Sequence, residues 1–320
     1  MIALILLLQT VTIAVSGPPT SPEYLPLHVA AAEGYFTEHG LSVSLRTVRS
    51  EADAAQALAD ATADLAATSL GAALRFVGVD KGATPRLVFG LTAAPPVVLA
   101  MHPSAVNSVR TLADLTGSAV GVSHPGAAEQ TWLLALLARN RMRPTSVSIV
   151  SYGDRGAAAA LQAGELRAAL LSDPYASRLL ADGAARAFAD LRDHRAVTRI
   201  VGRPTVNAAV FAPPKGRLSL ADLEAVCRAL REAVARVESG PPDGLADRLS
   251  RAVVGSREDF MIRLDASRAL YLESGIVAPE AVEASIEMIR AHVPLRRAPR
   301  AAEVLDEAPL RRALTPRQPR

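Results

Sequence analysis

Residues 10–45 read TVTIAVSGPPTSPEYLPLHVAAAEGYFTEHGLSVSL, and the punctuation of this stretch decides the architecture. TVTIAV (10–15) is a β-branched run stopped by Ser16-Gly17-Pro18-Pro19, a strand that gives way to a turn-rich loop. The stretch from Leu27 to His39 reads as a helix closed by Gly40, the residue that accepts the left-handed conformation of a helix C-terminus at least cost. Val43, Leu45 and Thr47 then alternate with polar partners as a second strand. Strand, helix, strand is the unit of a parallel sheet covered by helices.

The pattern continues outward from this unit. Helices are expected at 51–60 and 70–78, with strands at 63–67, 86–91 and 96–101. It then restarts, with a short helix at 111–115 and a strand at 119–122. A long helix at 127–141, strands at 147–150 and 168–171, helices at 157–163 and 174–181, and a further strand at 187–191 follow. After Asn207-Ala-Ala-Val-Phe211 only helices remain, at 220–237, 245–253, 257–274 and 279–292. Helices with no strands of their own must cover a sheet already made, so the chain is expected to cross between two lobes near 97–101 and 205–211. The expected division is lobe 1 from 1–98 and 205–293, lobe 2 from 99–204, and an Arg- and Pro-rich tail at 294–320.

Composition narrows the function. Half of the 320 residues are apolar and 21% are charged, which suits a globular chain long enough for two cores. The net charge is +3, yet residues 290–320 hold eight Arg against Glu303, Asp306 and Glu307. The body is therefore close to neutral, unlike a surface that tracks phosphates, and aromatics are only 4%. Nucleic acid is not the expected partner. Cys227 is the sole cysteine and the six His show no metal spacing, so neither a disulfide nor a metal centre is expected. The phosphate-loop, dinucleotide, zinc-protease and nucleophile-elbow signatures are all absent from the sequence, and no cofactor is implied. MIALILLL (1–8) reads either as the apolar part of an export signal whose true start lies upstream or as a hydrophobic first strand.

What remains is a set of strand-to-helix turns, at Ser16–Tyr24, Thr68-Ser69, Ser123-His124-Pro125-Gly126 and Ser172-Asp173-Pro174-Tyr175. In open α/β sheets this edge, with helix N-termini pointing at it, is where ligands bind. Each turn alone is an ordinary helix cap. Four of them on two lobes point to a cleft between the lobes.

Three segments carry a family resemblance. LPLHVAAAEGYFTEHGLSVSL (25–45), TLADLTGSAVGVSHPGAAEQTWLLALL (111–137) and ALQAGELRAALLSDPYAS (160–177) resemble, in this order, the nitrate/sulfonate/taurine-type substrate-binding proteins of ABC importers. That family also includes proteins like the thiamine-pyrimidine synthases. The resemblance implies the two-lobed type II periplasmic-binding-protein α/β fold, with two hinge strands and a ligand cleft. It implies a monomeric, extracytoplasmic, non-enzymatic receptor that hands a small solute to a permease and its ATPase. Carried over position by position, the contacts implied are Ser16, Tyr24, Thr68, Ser69 and Thr92 from lobe 1. Ser123, His124, Gly126, Ala127, Asp173 and Tyr175 are implied from lobe 2, with Asn207 near the hinge. Members that bind small anions place further polar or basic groups in the cleft, whereas here the clear charge is Asp173, with His124 to offset it. Asp173 is therefore expected to face the cleft and set charge preference. A sulfonate-, nitrate- or taurine-like solute, a heterocycle and a ligand with an amino or amidine group all stay open. The alternative is an enzyme on the same fold, forming the thiamine pyrimidine or dehydrating chorismate. Trp132 is expected near the second-lobe binding turn.

Overall fold

The computed structural model describes residues 10–75, 77, 84–123 and 128–315. MIALILLL, His124, Pro125, Gly126 and Ala127 lie outside the described residues. One sheet begins with β1 (Thr10–Ser16), β2 (Ser42–Val48), β3 (Leu65–Ser69) and β4 (Arg86–Gly90). The second is made of β5 (Val97–Met101), β6 (Ala119–Val122), β7 (Ser148–Ser151), β8 (Ala168–Ser172) and β9 (Arg186–Asp190). The chain then returns to the first sheet as β10 (Ala208–Ala212). The strand orders are β2-β1-β3-β10-β4 and β7-β6-β8-β5-β9.

Both sheets are mixed, where the alternation of strands and helices alone suggests largely parallel ones. β10 runs antiparallel to β3 and β4, and β5 runs antiparallel to β8 and β9. In each sheet the antiparallel strand is the one the chain uses on arriving from the other lobe. This is the two-lobed α/β architecture expected of a periplasmic binding protein.

The strands are apolar on both sides because helices cover both faces. In β1, Val11, Ile13 and Val15 face one core and Ala14 the other. In β5, Val97, Leu99 and Met101 face one core, with Val98 and Ala100 on the opposite side. The late helices Leu220–Ser239, Pro242–Arg248, Arg257–Ser267 and Pro279–His292 cover the first sheet, their buried residues joining the β1 cores.

Local departures from the expected elements have visible causes. The single helix expected at 27–39 is two, Leu25–Glu33 and Tyr35–Glu38, because Gly34 takes φ +86° and turns the chain. A helix at His194–Val201, capped by Asp193, stands where none was expected. The stretch after Pro294 is not a loose tail. Helices Ala301–Val304 and Ala308–Leu314 bury Ala301, Val304, Leu310 and Ala313 in the first-lobe cores. Full burial of a Val or Leu side chain contributes about 1.5–3 kcal/mol, enough to hold the segment down.

The two crossings run side by side. Leu91 and Thr92 N–H donate to the Ala208 carbonyl at 2.9 and 3.1 Å, Asn207 N–H to the Thr92 carbonyl at 2.7 Å, and the Thr205 hydroxyl to the Ala93 carbonyl at 2.9 Å. Gly275 packs beneath this junction. It sits at φ +74°, and a Cβ there would land on the Phe89 ring. Gly275→Ala is expected to cost roughly 2–4 kcal/mol, from the left-handed backbone and the forced displacement of Phe89. Urea unfolding should show the extrapolated unfolding free energy falling by that amount, with a lower midpoint at unchanged m; an unchanged midpoint would mean the ring moves aside freely.

Candidate functional site

The edge of the first sheet where β1 and β3 end carries most of the polar residues picked out from the sequence. The Ser16 hydroxyl donates to the Ala67 carbonyl at 2.9 Å, bridging those two strand ends. Thr68 Oγ1 donates to the Glu51 carbonyl at 2.8 Å. Ser69 Oγ donates to Glu51 Oε2 at 2.7 Å and accepts from Ala72 N–H at 3.3 Å. Thr68 and Ser69 thus cap one helix and hold the first residue of another, Glu51–Ala59.

Asn207 enters this edge from the returning crossing. Its carbonyl accepts from Leu70 N–H at 2.7 Å, and its side-chain amide donates to Glu23 Oε1 at 2.6 Å. Glu23 and Tyr24 sit on a short 3-10 turn, Pro22–Tyr24, after β1. That turn is tied down by the Tyr271 hydroxyl, which donates to the Pro22 carbonyl at 2.7 Å, while Tyr271 itself bridges to Thr92. Thr92 Oγ1 accepts from Ala208 N–H at 3.3 Å. Ser16, Glu23, Tyr24, Thr68, Ser69, Thr92, Asn207 and Tyr271 are all buried.

The second lobe contributes Ser123, at the end of β6, whose N–H donates to Glu129 Oε1 at 2.5 Å. Glu129 lies in the first turn of the helix Ala128–Arg139 and is buried as well. Glu23 feels both Glu51 of its own lobe and Glu129 of the other. Burial, then the repulsion of Glu51, pushes the Glu23 carboxyl well above the ordinary range, against the opposing hydrogen bond from Asn207. Tyr24 is raised for the same leading reason, desolvation, followed by the charges of Glu51 and Glu23.

The structure corrects the expectation for Asp173. Its side chain is only 4% exposed and its Oδ2 accepts from Arg192 Nη1 at 2.8 Å, while Oδ1 accepts from Ser177 N–H at 3.0 Å. Arg192 also pairs with Asp190 at 2.7 Å. Asp173 is thus paired within lobe 2, where it ties β8 to the segment after β9. Pro174 precedes the helix Tyr175–Ala181 instead of opening it, and Tyr175 is half-buried on its first turn. Among the described residues no three His, Cys, Asp or Glu come together as a metal site.

The acidic residues were missed because each reads locally as something bland: Glu51 and Glu129 as first-turn helix residues, Glu23 as loop. The available signal was positional, since all three sit within a few residues of the strand ends that the Ser and Thr caps mark.

Ion pairs link the lobes. Arg178 of lobe 2 meets Asp259 at 2.6 Å and Glu258 at 3.1 Å on the helix Arg257–Ser267. Arg195 meets Glu273 at 2.9 Å, and Arg203 meets Glu287 at 2.7 Å. Trp132 is buried. It lines a cavity of about 330 Å³ with Leu136, Arg203 and Thr205, closed on the other side by Ala284 and Met288 of the first-lobe helix Pro279–His292.

Glu23 gives the site a pH signature. A carboxyl with a raised folded-state pKa stabilises the fold fully below its unfolded value, near 4.5, and that contribution is lost as pH rises through the raised value. Ligand-free protein is therefore expected to lose thermal stability from mildly acidic to neutral pH. Glu23→Gln, which still accepts from Asn207, should flatten that slope and raise the neutral-pH Tm, by about 2–4 °C for each kcal/mol relieved. Differential scanning calorimetry across pH checks this; parallel slopes for the two proteins would show that Glu23 titrates as an ordinary carboxyl.

Known structures share the whole architecture. A protein of Bordetella bronchiseptica RB50 superposes with a TM-score of 0.74 at 23% identity, over 95% of this chain and 96% of that one. The periplasmic aliphatic sulphonate-binding protein SsuA of Escherichia coli gives 0.71 at 17% identity, over 92% and 91%. The alkanesulfonate-binding protein SsuA of Xanthomonas axonopodis pv. citri, bound to MOPS, gives 0.66 at 17%, over 93% and 98%. At these identities the likeness establishes the fold. Among curated proteins no sequence matches. Residues 21–201, more than half of the chain, match the family model described as NMT1/THI5 like, and the chain belongs to that family.

Proposed function

We propose that this protein is the solute-binding receptor of an ABC importer, a non-enzymatic monomer that encloses a small polar solute between its lobes and presents it to a membrane permease and its ATPase. The observation that carries this reading is the set of polar side chains that both lobes gather at their strand ends, Glu23, Glu51, Ser69 and Asn207 in the first and Ser123 and Glu129 in the second. The sulfonate-binding neighbours lend the reading further support, since they share the fold from end to end. Such a receptor works by hinge closure, and the paired crossings at 91–93 and 205–208 supply the hinge.

The lobe division that goes with this reading is the one read from the sequence, 1–98 with 205–293 and 99–204, with the first boundary moved ahead of Val97, where β5 of the second sheet begins, and the docked helices up to Leu314 added to lobe 1. The address that fits a receptor is extracytoplasmic. No helix among the described residues is long and apolar enough to cross a membrane.

The enzyme reading finds little chemistry here. Cys227 is fully buried in the first-lobe core, and burial, with the charge of Asp306 adding to it, pushes its thiol up to about 12. A thiol held protonated in an apolar core is no nucleophile.

Closure gives the test. Trp132 is the chain's sole Trp, and it lines a cavity bounded by both lobes and by the returning crossing at Thr205. Hinge bending changes that cavity directly. A solute that raises the melting temperature should also shift Trp132 emission saturably and reduce the radius of gyration in solution scattering. A tight solute that leaves both the emission and the radius unchanged would remove hinge closure from the mechanism.

A further inference from the structure

We propose that the cavity between the lobes at the hinge is a second binding site, separate from the strand-end cleft, for a small acid whose apolar body carries a single carboxylate. The proposal goes beyond the receptor reading and does not depend on it. Its first support is the shape of the cavity. Trp132, Ala135, Leu136 and Arg139 recur at helical spacing along Ala128–Arg139 of the second lobe and form one wall. Ala284 and Met288 of the helix Pro279–His292 form the opposite wall from the first lobe. Apolar contacts between packed elements are normally filled. Here two alanines, Ala135 half-buried and Ala284 buried, stand where larger side chains would close the gap. The space left is about 330 Å³, at the low end of the range for small-molecule pockets, and suits a single ring with its substituent.

The second support is charge. The two charged side chains that line the cavity are both arginines, Arg139 and Arg203. Arg203 Nη2 meets Glu287 Oε2 at 2.7 Å, so its charge is answered. No carboxylate among the described residues pairs with Arg139. Its guanidinium lies against the backbone of Gly202, where a Cβ would overlap it, and Gly202 holds φ +83° as the C-cap of the helix His194–Val201. A planar guanidinium at the rim of an apolar pocket can hold a carboxylate through two parallel hydrogen bonds while the pocket takes the apolar body.

Other occupants fit less well. A cation would meet two arginines, and a bare inorganic anion would gain nothing from Trp132, Leu136 and Met288. A neutral apolar molecule would leave Arg139 unanswered. Among the described residues, none of the polar side chains at the strand ends lines this cavity. Thr205 ties it to the hinge instead: it lines the cavity, and its hydroxyl donates to the Ala93 carbonyl of the neighbouring crossing at 2.9 Å. The next residue, Val206, donates its N–H to Ser285 Oγ at 2.9 Å, beside Ala284. An occupant therefore touches both lobes and the strand that joins them.

The experiment is calorimetric titration of the full chain with phenylacetate against phenylacetamide and cyclohexanecarboxylate against cyclohexanecarboxamide, with acetate as the charge-only control. Each acid is expected to bind at least about tenfold more tightly than its amide and than acetate, and to shift Trp132 emission saturably. Arg139 is exposed, so Arg139→Gln should erase most of the preference for acid over amide at an unchanged melting temperature of the free protein. Ala135→Leu, which fills the cavity, should abolish binding of acids and amides alike at an unchanged or higher melting temperature. If Ala135→Leu lowers the melting temperature, the preference measured in Arg139→Gln decides alone. Equal binding of acid and amide, a preference that survives Arg139→Gln, or no binding by any probe overturns the proposal. An acid that binds both variants as it binds the unaltered chain, and shrinks the radius of gyration, sits in the strand-end cleft; that result overturns the second site and leaves the receptor reading standing.

Discussion

Everything at the site depends on where β10 inserts. By entering antiparallel between β3 and β4, it sets Ala208 opposite Ser69 and so places Asn207 against the start of the helix that Ser69 caps. The same arrival puts Thr92 beside Ala208, and Thr92 in turn meets Tyr271, which pins the turn bearing Glu23. One backbone ladder therefore fixes the hinge and one wall of the cleft together. Without it, Asn207 would have no reason to find Glu23, residues separated by 184 positions in the chain.

This arrangement couples electrostatics to motion. The first-lobe carboxylates are held in place by the ladder, whereas Glu129 rides on the second lobe through β6 and its helix. Opening the hinge would separate Glu129 from Glu23 and return water to both, lowering their repulsion. The lobes are joined by favourable pairs, Arg178 with Asp259 and Glu258, and Arg195 with Glu273. Those pairs are largely exposed, and exposed ion pairs contribute about 0–1 kcal/mol each. Pairs of this strength can bias the relative placement of the lobes only weakly.

The fold was legible because it rests on local signals. β-branched runs ended by Gly and Pro marked the strands, and the switch to helices alone after Phe211 showed that the chain had returned to a finished sheet. Ser16, Thr68, Ser69 and Asn207 were legible for a related reason, since caps at strand ends are local motifs. The carboxylates were not. Glu51 sits at the start of a helix where any acidic residue suits the dipole, and nothing nearby distinguishes it from Asp53 in the same turn. What sets it apart is Ser69, eighteen positions away, and such a pairing exists only in three dimensions. Asp173 failed in the opposite direction. It looked like a free charge because its partner, Arg192, lies beyond a helix and a strand.

The contrast between Asp173 and Glu23 shows how one residue type serves two ends. Asp173 is nearly buried but meets a guanidinium, and removing either partner would strand a charge in a dry place at a cost of several kcal/mol. Glu23 is equally buried and meets an amide, with two further carboxylates in range. A fold selected for stability alone would have put a glutamine, or a leucine with the pocket filled, where Glu23 stands. Keeping an acid there, on a turn anchored by the buried hydroxyl of Tyr271, means that burial and the charge of Glu51 favour its protonated form, and ionising it costs energy. The Asp173–Arg192 pair shows the other solution to the same problem, since there a guanidinium within hydrogen-bond reach stabilises the ionised form and the acid is fixed as part of the scaffold.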